Sequence, residues 1–172
     1  MGRAKSGELK HPATPATMVL DKAKVPWMPH MYEHDPRSAS YGLEAATALG
    51  IDPDRVFKTL VVTVEGKQGI AVIPASHTLN LKSAAVALAE VGAPKARTVE
   101  LADERTAQAV TGYVIGGISP LGTKRELPTV LDRSSLDHDT ILVSGGRRGF
   151  SVELVSSDLC RLVGAITADL TR

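Results

Sequence analysis

The run from Val56 to Val64, closely followed by a glycine-bearing turn and a second apolar run, most constrains how this chain folds. Its β-branched residues are stiff at χ1 and favour pleated backbone, so 56–64 reads as a strand. Gly66-Lys67-Gln68-Gly69 reads as a hairpin loop and Ile70–Pro74 as the returning strand. A short hairpin makes an antiparallel pair, whereas parallel neighbours need a long crossover. Thr14 and Pro15 read as the cap and first residue of a helix to about Lys24. Further helices are expected over 42–49, over 81–90 behind Asn80, from Asp103 to about Val110, and over 158–163 behind Ser157. Further strands are expected at 31–34, 96–100, 113–115, 129–131, 140–143 and 150–155. Helices and strands that intermix with tight hairpins predict an α+β single domain. Its central sheet should be mixed, mainly antiparallel, and flanked by helices. Residues 1–13 are polar and aperiodic and are expected to form a flexible N-terminal tail, leaving 14–172 as the domain.

The chain has 172 residues. A domain of about 150 residues buries about 68–70% of its unfolded surface, so neither disulfide nor metal is needed for folding. Cys160 is the only cysteine, which suits a reducing cytoplasm. No apolar run reaches the roughly 18 residues of a membrane span, and Met1–Ala13 lacks the apolar core of a secretory signal. The formal net charge of +1 argues against a surface coated in positive charge. The aromatic residues, Trp 1, Tyr 3 and Phe 2, are too few for a protein that stacks many bases. Any nucleic-acid contact should rest on phosphates and one terminal nucleotide.

Lys58 is the most informative single residue. Strand alternation puts it with Val56, Leu60, Val62 and Val64 on the more apolar face, where lysine is rarely buried without a partner. Either its stem is packed and its ammonium reaches water, or it points into a pocket to hold an anionic or ester group. Two glycine-rich loops, Gly116–Gly122 and Ser144–Gly149, each follow an apolar strand. Successive glycines can turn main-chain N–H groups toward one point, where they hold a phosphate or an ester oxyanion. They can equally be two tight turns. Neither loop has the Walker A or Gly-x-Gly-x-x-Gly pattern.

Other candidates are weaker. His30 and His34 have no nearby third ligand, so no metal or other cofactor is expected. Cys160 falls in the final helix and reads as packed rather than nucleophilic. There is no Gly-x-Ser-x-Gly elbow, and Ser119 and Ser144 are the only serines in the two loops, so no nucleophile–base pair stands out. The pairs Lys95/Arg97, Lys124/Arg125 and Arg147/Arg148 are either solvated surface or, beside a pocket, a guide for a phosphate backbone.

Taken in order, Tyr32-Glu33-His34-Asp35, Val56-Phe57-Lys58-Thr59-Leu60, Thr111-Gly112-Tyr113, Gly116-Gly117-Ile118-Ser119-Pro120-Leu121-Gly122, Leu127-Pro128-Thr129 and Ser144-Gly145-Gly146-Arg147-Arg148-Gly149 resemble the YbaK/EbsC family over about 14–170. The branch resembled is that of Cys-tRNA(Pro)/Cys-tRNA(Cys) deacylases, similar to the editing domain of prolyl-tRNA synthetases. The resemblance implies trans-editing: hydrolysis of mischarged aminoacyl-tRNA, Cys-tRNA(Pro) first, without a cofactor. It implies that Lys58 is the key functional residue and that the Gly116 backbone faces the aminoacyl ester. Tyr32 and Ser144 match pocket positions, and Thr59, Gly117, Ser119 and Gly145 are carried over as substrate-binding neighbours. The substrate's own thiol or a ribose hydroxyl would assist the reaction, which explains the missing nucleophile. The partners implied are the tRNA acceptor end and prolyl-tRNA synthetase, with neither DNA nor membrane. One departure bears on selectivity: the family pattern has an aspartate two residues after Arg-Gly, where this chain has Ser151.

Overall fold

The computed structural model describes residues 10–172. Thr14 opens helix α1 (Pro15–Ala23) through a capping box: its hydroxyl accepts from the Thr17 amide, and the Thr17 hydroxyl accepts from the Thr14 amide. The same Thr14 hydroxyl donates to the Gly145 carbonyl at 2.6 Å, tying the first helix to a distant strand. Of the expected tail, residues 1–9 lie outside the described residues. His11 packs edge-on against Trp27 at 4.8 Å between ring centroids.

The elements that follow are β1 (Met28–Met31), α2 (Tyr41–Leu49), β2 (Phe57–Val64), β3 (Lys67–Pro74), α3 (Leu81–Glu90) and β4 (Glu100–Leu101). Then come α4 (Glu104–Thr111), β5 (Thr129–Asp132), β6 (Ile141–Arg147), β7 (Phe150–Leu154), α5 (Ser156–Val163) and β8 (Ile166–Ala168). The fold is α+β as expected, but the strands divide between two sheets. One is wholly antiparallel, in the order β1-β7-β6; the other is mixed, in the order β4-β2-β3-β5-β8. An isolated bridge between Val56 and Leu142 joins the two sheets just ahead of β2.

The β2–β3 hairpin is the expected one, with a tighter turn. Glu65 and Gly66 both have positive φ, 48° and 75°, as a two-residue turn of the primed kind requires, so Lys67 already lies in the returning strand. Strand alternation in β2 also holds. Leu60, Val62 and Val64 pack with α3 residues Ala84 and Leu88, while Phe57 and Val61 join separate clusters on the opposite face. The main core gathers Leu20, Phe57, Leu131, Phe150 and Leu159 between α1, α5 and both sheets.

Several local expectations are corrected. Residues 113–115 form no strand: the α4 helix ends at Gly112 in the left-handed conformation, and the chain enters a loop whose Ile115 amide and carbonyl bond to side chains. Most of the second glycine loop is strand, because Ser144–Arg147 continue β6 through a bulge and only Arg148-Gly149 turn. The first strand lies at 28–31 rather than 31–34. Pro29 is tolerated there because β1 is an edge strand, and the pairing ends where the Tyr32 amide bonds to the Gly149 carbonyl. The strand expected at 96–100 shrinks to Glu100–Leu101, and α5 starts at Ser156 behind Val155 without a side-chain cap. Strand β8 had no counterpart in the sequence reading.

Candidate active site

The start of β2, the start of α2, the loop after α4 and the β6–β7 pair line a cavity of about 380 Å³. That is near the lower end of ordinary ligand pockets, enough for an acyl group with part of a nucleoside. Among the expected site residues, Tyr32, Lys58, Thr59, Gly116 and Ser144 line it. Gly117, Ser119 and Gly145 do not. Ser119 is fully buried, and its hydroxyl accepts from the Leu121 amide at 3.2 Å. The Gly117 amide donates to the Val114 carbonyl at 2.9 Å. Gly145 is packed against the Phe150 ring.

Lys58 is half-buried. Burial alone holds its ammonium below the usual lysine range, and among the described residues it forms no ion pair. Among the described residues, no carboxylate lines the cavity. The walls offer instead apolar surface and hydroxyls; the Thr59 hydroxyl itself is buried and has no hydrogen-bond partner among the described residues. A ligand group that carries negative charge or partial charge would supply the ammonium with a counterpart. Burial raises the Tyr32 phenol above its ordinary pKa; Glu44 adds to the shift and a Gly149 backbone hydrogen bond opposes it.

The glycines do two jobs. Gly116 has a φ of 87° and its amide donates to no protein acceptor among the described residues. Gly117 lies so close to the β6–β7 turn that a Cβ would stand 3.0 Å from the Arg147 backbone. Its role is therefore to let the two glycine segments touch.

Tyr41, Ser151 and Arg148 complete the site. Tyr41, the first residue of α2, puts its ring beneath Gly116 and into the cavity wall. The signal that could have found it is the neighbouring Gly42. A Cβ there would meet Ala75 Cβ at 2.7 Å, so α2 must approach the β2–β3 end closely and deliver Tyr41 beside Lys58. Ser151, on β7 opposite Ser144, lines the same cavity. Arg148 lies over the Tyr41 ring, 5.7 Å from its centroid. Lys95, Arg97, Lys124 and Arg125 are exposed and are not part of the cavity lining. His30 and His34 each take a carboxylate partner, Glu153 at 2.7 Å and Glu44 at 3.1 Å.

Fold and cavity together describe a small α+β domain with a ligand-sized pocket where its two sheets meet. The chain belongs to the aminoacyl-tRNA editing domain family, whose model matches residues 36–162. It is 35% identical over 162 residues to the Enterococcus faecalis protein named "Putative Cys-tRNA(Pro)/Cys-tRNA(Cys) deacylase EbsC", covering 92% of this chain and 93% of that one. It is 30% identical over 142 residues to the proline–tRNA ligase of Shouchella clausii, covering 78% of this chain but 24% of the ligase. Among solved structures, one described as a "putative trans-editing enzyme for prolyl tRNA synthetase" superposes with a TM-score of 0.73 at 24% identity. That match covers 94% of this chain and 99% of that chain and shows the shared fold. The class of activity is thus aminoacyl-tRNA editing by deacylation. Among the described residues, no helix is long and apolar enough to cross a membrane.

Proposed function

We propose that this protein deacylates Cys-tRNA(Pro) in trans, with Lys58 and the Gly116 amide holding the charged 3′ end. The observation that carries this reading is the pairing, in one cavity, of an ammonium and a main-chain donor that have no protein partner among the described residues. An aminoacyl ester is already activated, so placement and oxyanion stabilisation supply much of the rate. Well-oriented intramolecular attack reaches effective molarities of about 10⁵–10⁸ M. The substrate's thiol is placed to assist, Lys58 holds the substrate's end, and the Gly116 N–H takes the developing oxyanion. Water supplies the hydroxyl of the released acid and the proton taken by the departing ribose oxygen, so the products are free amino acid and uncharged tRNA. Similarity to prolyl-tRNA synthetase supports that enzyme as the partner that presents the tRNA.

A second reading keeps the fold and changes the amino acid. Ser151 lines the cavity at the position where the family pattern carries aspartate, so the acyl pocket lacks that charge and another mischarged tRNA becomes the substrate. The test is release of amino acid from a panel of mischarged tRNAs. Rapid release from Cys-tRNA(Pro), abolished by Lys58→Ala in folded protein, is the expected result. Release from another charged tRNA instead selects the second reading. Tight binding without release would make the chain a tRNA- or synthetase-binding module.

A further inference from the structure

The peptide unit joining Ile115 to Gly116 carries its own clamp. Its carbonyl, that of Ile115, accepts a hydrogen bond from Arg148 Nε at 2.7 Å. One residue earlier along the chain, the Ile115 amide donates to Gln108 Oε1 at 3.0 Å, and the Gly117 amide closes the turn onto Val114 at 2.9 Å. In a planar trans peptide the N–H points opposite to the C=O. With the Ile115 carbonyl turned to the guanidinium, the Gly116 N–H is turned the other way, and it lacks a protein acceptor among the described residues. Arg148 is held in turn by the Tyr41 ring, and Tyr41 carries Gly116.

We infer that Arg148 is a positioning residue, whose bond to the Ile115 carbonyl aims the Gly116 N–H into the cavity and strengthens it as a donor. The inference rests on reading the cavity as the aminoacyl-ester site. A cation at the carbonyl end of an amide draws electron density from its nitrogen, and hydrogen bonds in a chain strengthen one another by perhaps ~10–30% each. Aim matters more than polarisation here, because Arg148 is exposed and water screens its charge. An arginine suits both contacts at once, since its group donates through Nε while its Cζ stays over the Tyr41 ring at 5.7 Å; lysine has no such fork. Arg148 therefore does more than attract phosphates.

The experiment compares the full-length wild type with Arg148→Ala and Arg148→Lys on two substrates: mischarged tRNA, and a 3′-aminoacyl adenosine that has no phosphate. Thermal midpoints establish that the variants fold. Both variants are expected to lose kcat roughly 10- to 100-fold on both substrates with KM little changed, the size of effect expected when an oxyanion donor is misplaced. A loss seen only with tRNA, in KM, and erased by high salt would mean a phosphate contact alone and would overturn the inference. A second readout needs no turnover: the Gly116 amide resonance in ¹⁵N–¹H spectra should shift to a weaker-donor position in Arg148→Ala. If it stays in place, Arg148 does not set that peptide. A wild type inert on every charged tRNA defeats the functional reading instead, and the resonance still decides the role of Arg148.

Discussion

Gly116 lies against the ring of Tyr41 so closely that a Cβ at position 116 would stand 2.5 Å from Cε1 of that ring. Its φ of 87° independently disfavours any L side chain. Alanine at 116 meets both objections, and only the first can be relieved by moving Tyr41. Gly116→Ala is expected to lower stability by about 1–3 kcal/mol, from backbone strain and overpacking. It should also cut deacylation at least about tenfold by displacing the amide. Adding Tyr41→Ala should recover part of the stability and little of the activity. Chemical denaturation and single-turnover assays on the two variants check this; full recovery of activity would show that the steric contact alone matters.

Lys58 supplies a pH signature. Burial holds its folded pKa below the ordinary lysine value of 10.5. Between the depressed value and 10.5 the unfolded chain binds more protons, so stability rises with pH across that window. Below the depressed value the cost of the buried charge is fully present. Lys58→Met is expected to be more stable than wild type at neutral pH, with the gap narrowing as pH approaches 10.5, while deacylation is lost. Thermal melts at several pH values measure the gap. A variant less stable than wild type at neutral pH would mean that Lys58 has a partner in the folded chain.

Glu153 behaves in the opposite sense. Burial pushes its carboxyl up, but hydrogen bonds from Thr140 and His30 and the charge of Arg55 outweigh it, so the net shift is below 4.5. Arg55 Nη2 lies 2.9 Å from one carboxylate oxygen. A depressed carboxylate stabilises the fold above its unfolded pKa, and that contribution is lost as pH falls through the folded value. Glu153→Gln is expected to lower the melting temperature at neutral pH, with the difference from wild type starting to shrink below 4.5 and vanishing only below the depressed folded value. A difference that persists unchanged in acid would assign the effect to packing.

Tyr113 tests the loop scaffold without entering the cavity. Its hydroxyl donates to the Leu121 carbonyl at 2.5 Å, and burial pushes the phenol up to about 12. Tyr113→Phe leaves that carbonyl buried and unpaired, at a cost of about 1–3 kcal/mol. Turnover should change little, since Tyr113 is not part of the cavity wall. Urea unfolding and a deacylation assay separate the two effects.

Local chemistry written in adjacent residues was legible before any coordinates. The Thr14 cap, the Asn80 and Asp103 caps and the Gly50 and Gly112 helix ends all occur as read, and the β2–β3 hairpin occurs with its turn moved to Glu65-Gly66. The alternation in 56–64 correctly set Lys58 apart as a cation on an apolar face. What could not be read was decided by which partner each backbone group finds once the chain has folded. Residues 113–115 are apolar enough for a strand, yet Gln108 and Arg148 take the hydrogen-bonding groups of Ile115. Ser144–Arg147 look like a loop, yet Phe150–Ser151 supply the strand that pairs with them.

The sequence by itself determined the helices, the β2–β3 hairpin and the presence of a lysine that needs a reason to be buried, because caps, turns and side-chain alternation act over a few residues. Only the tertiary structure decided that Lys58, Tyr41, Gly116 and Ser151 share one cavity. It also decided that Arg148 reaches back to the Ile115 carbonyl. Those juxtapositions depend on how two sheets meet at Val56 and Leu142 and on how closely glycine lets one loop approach another, and neither is encoded in any short stretch of chain.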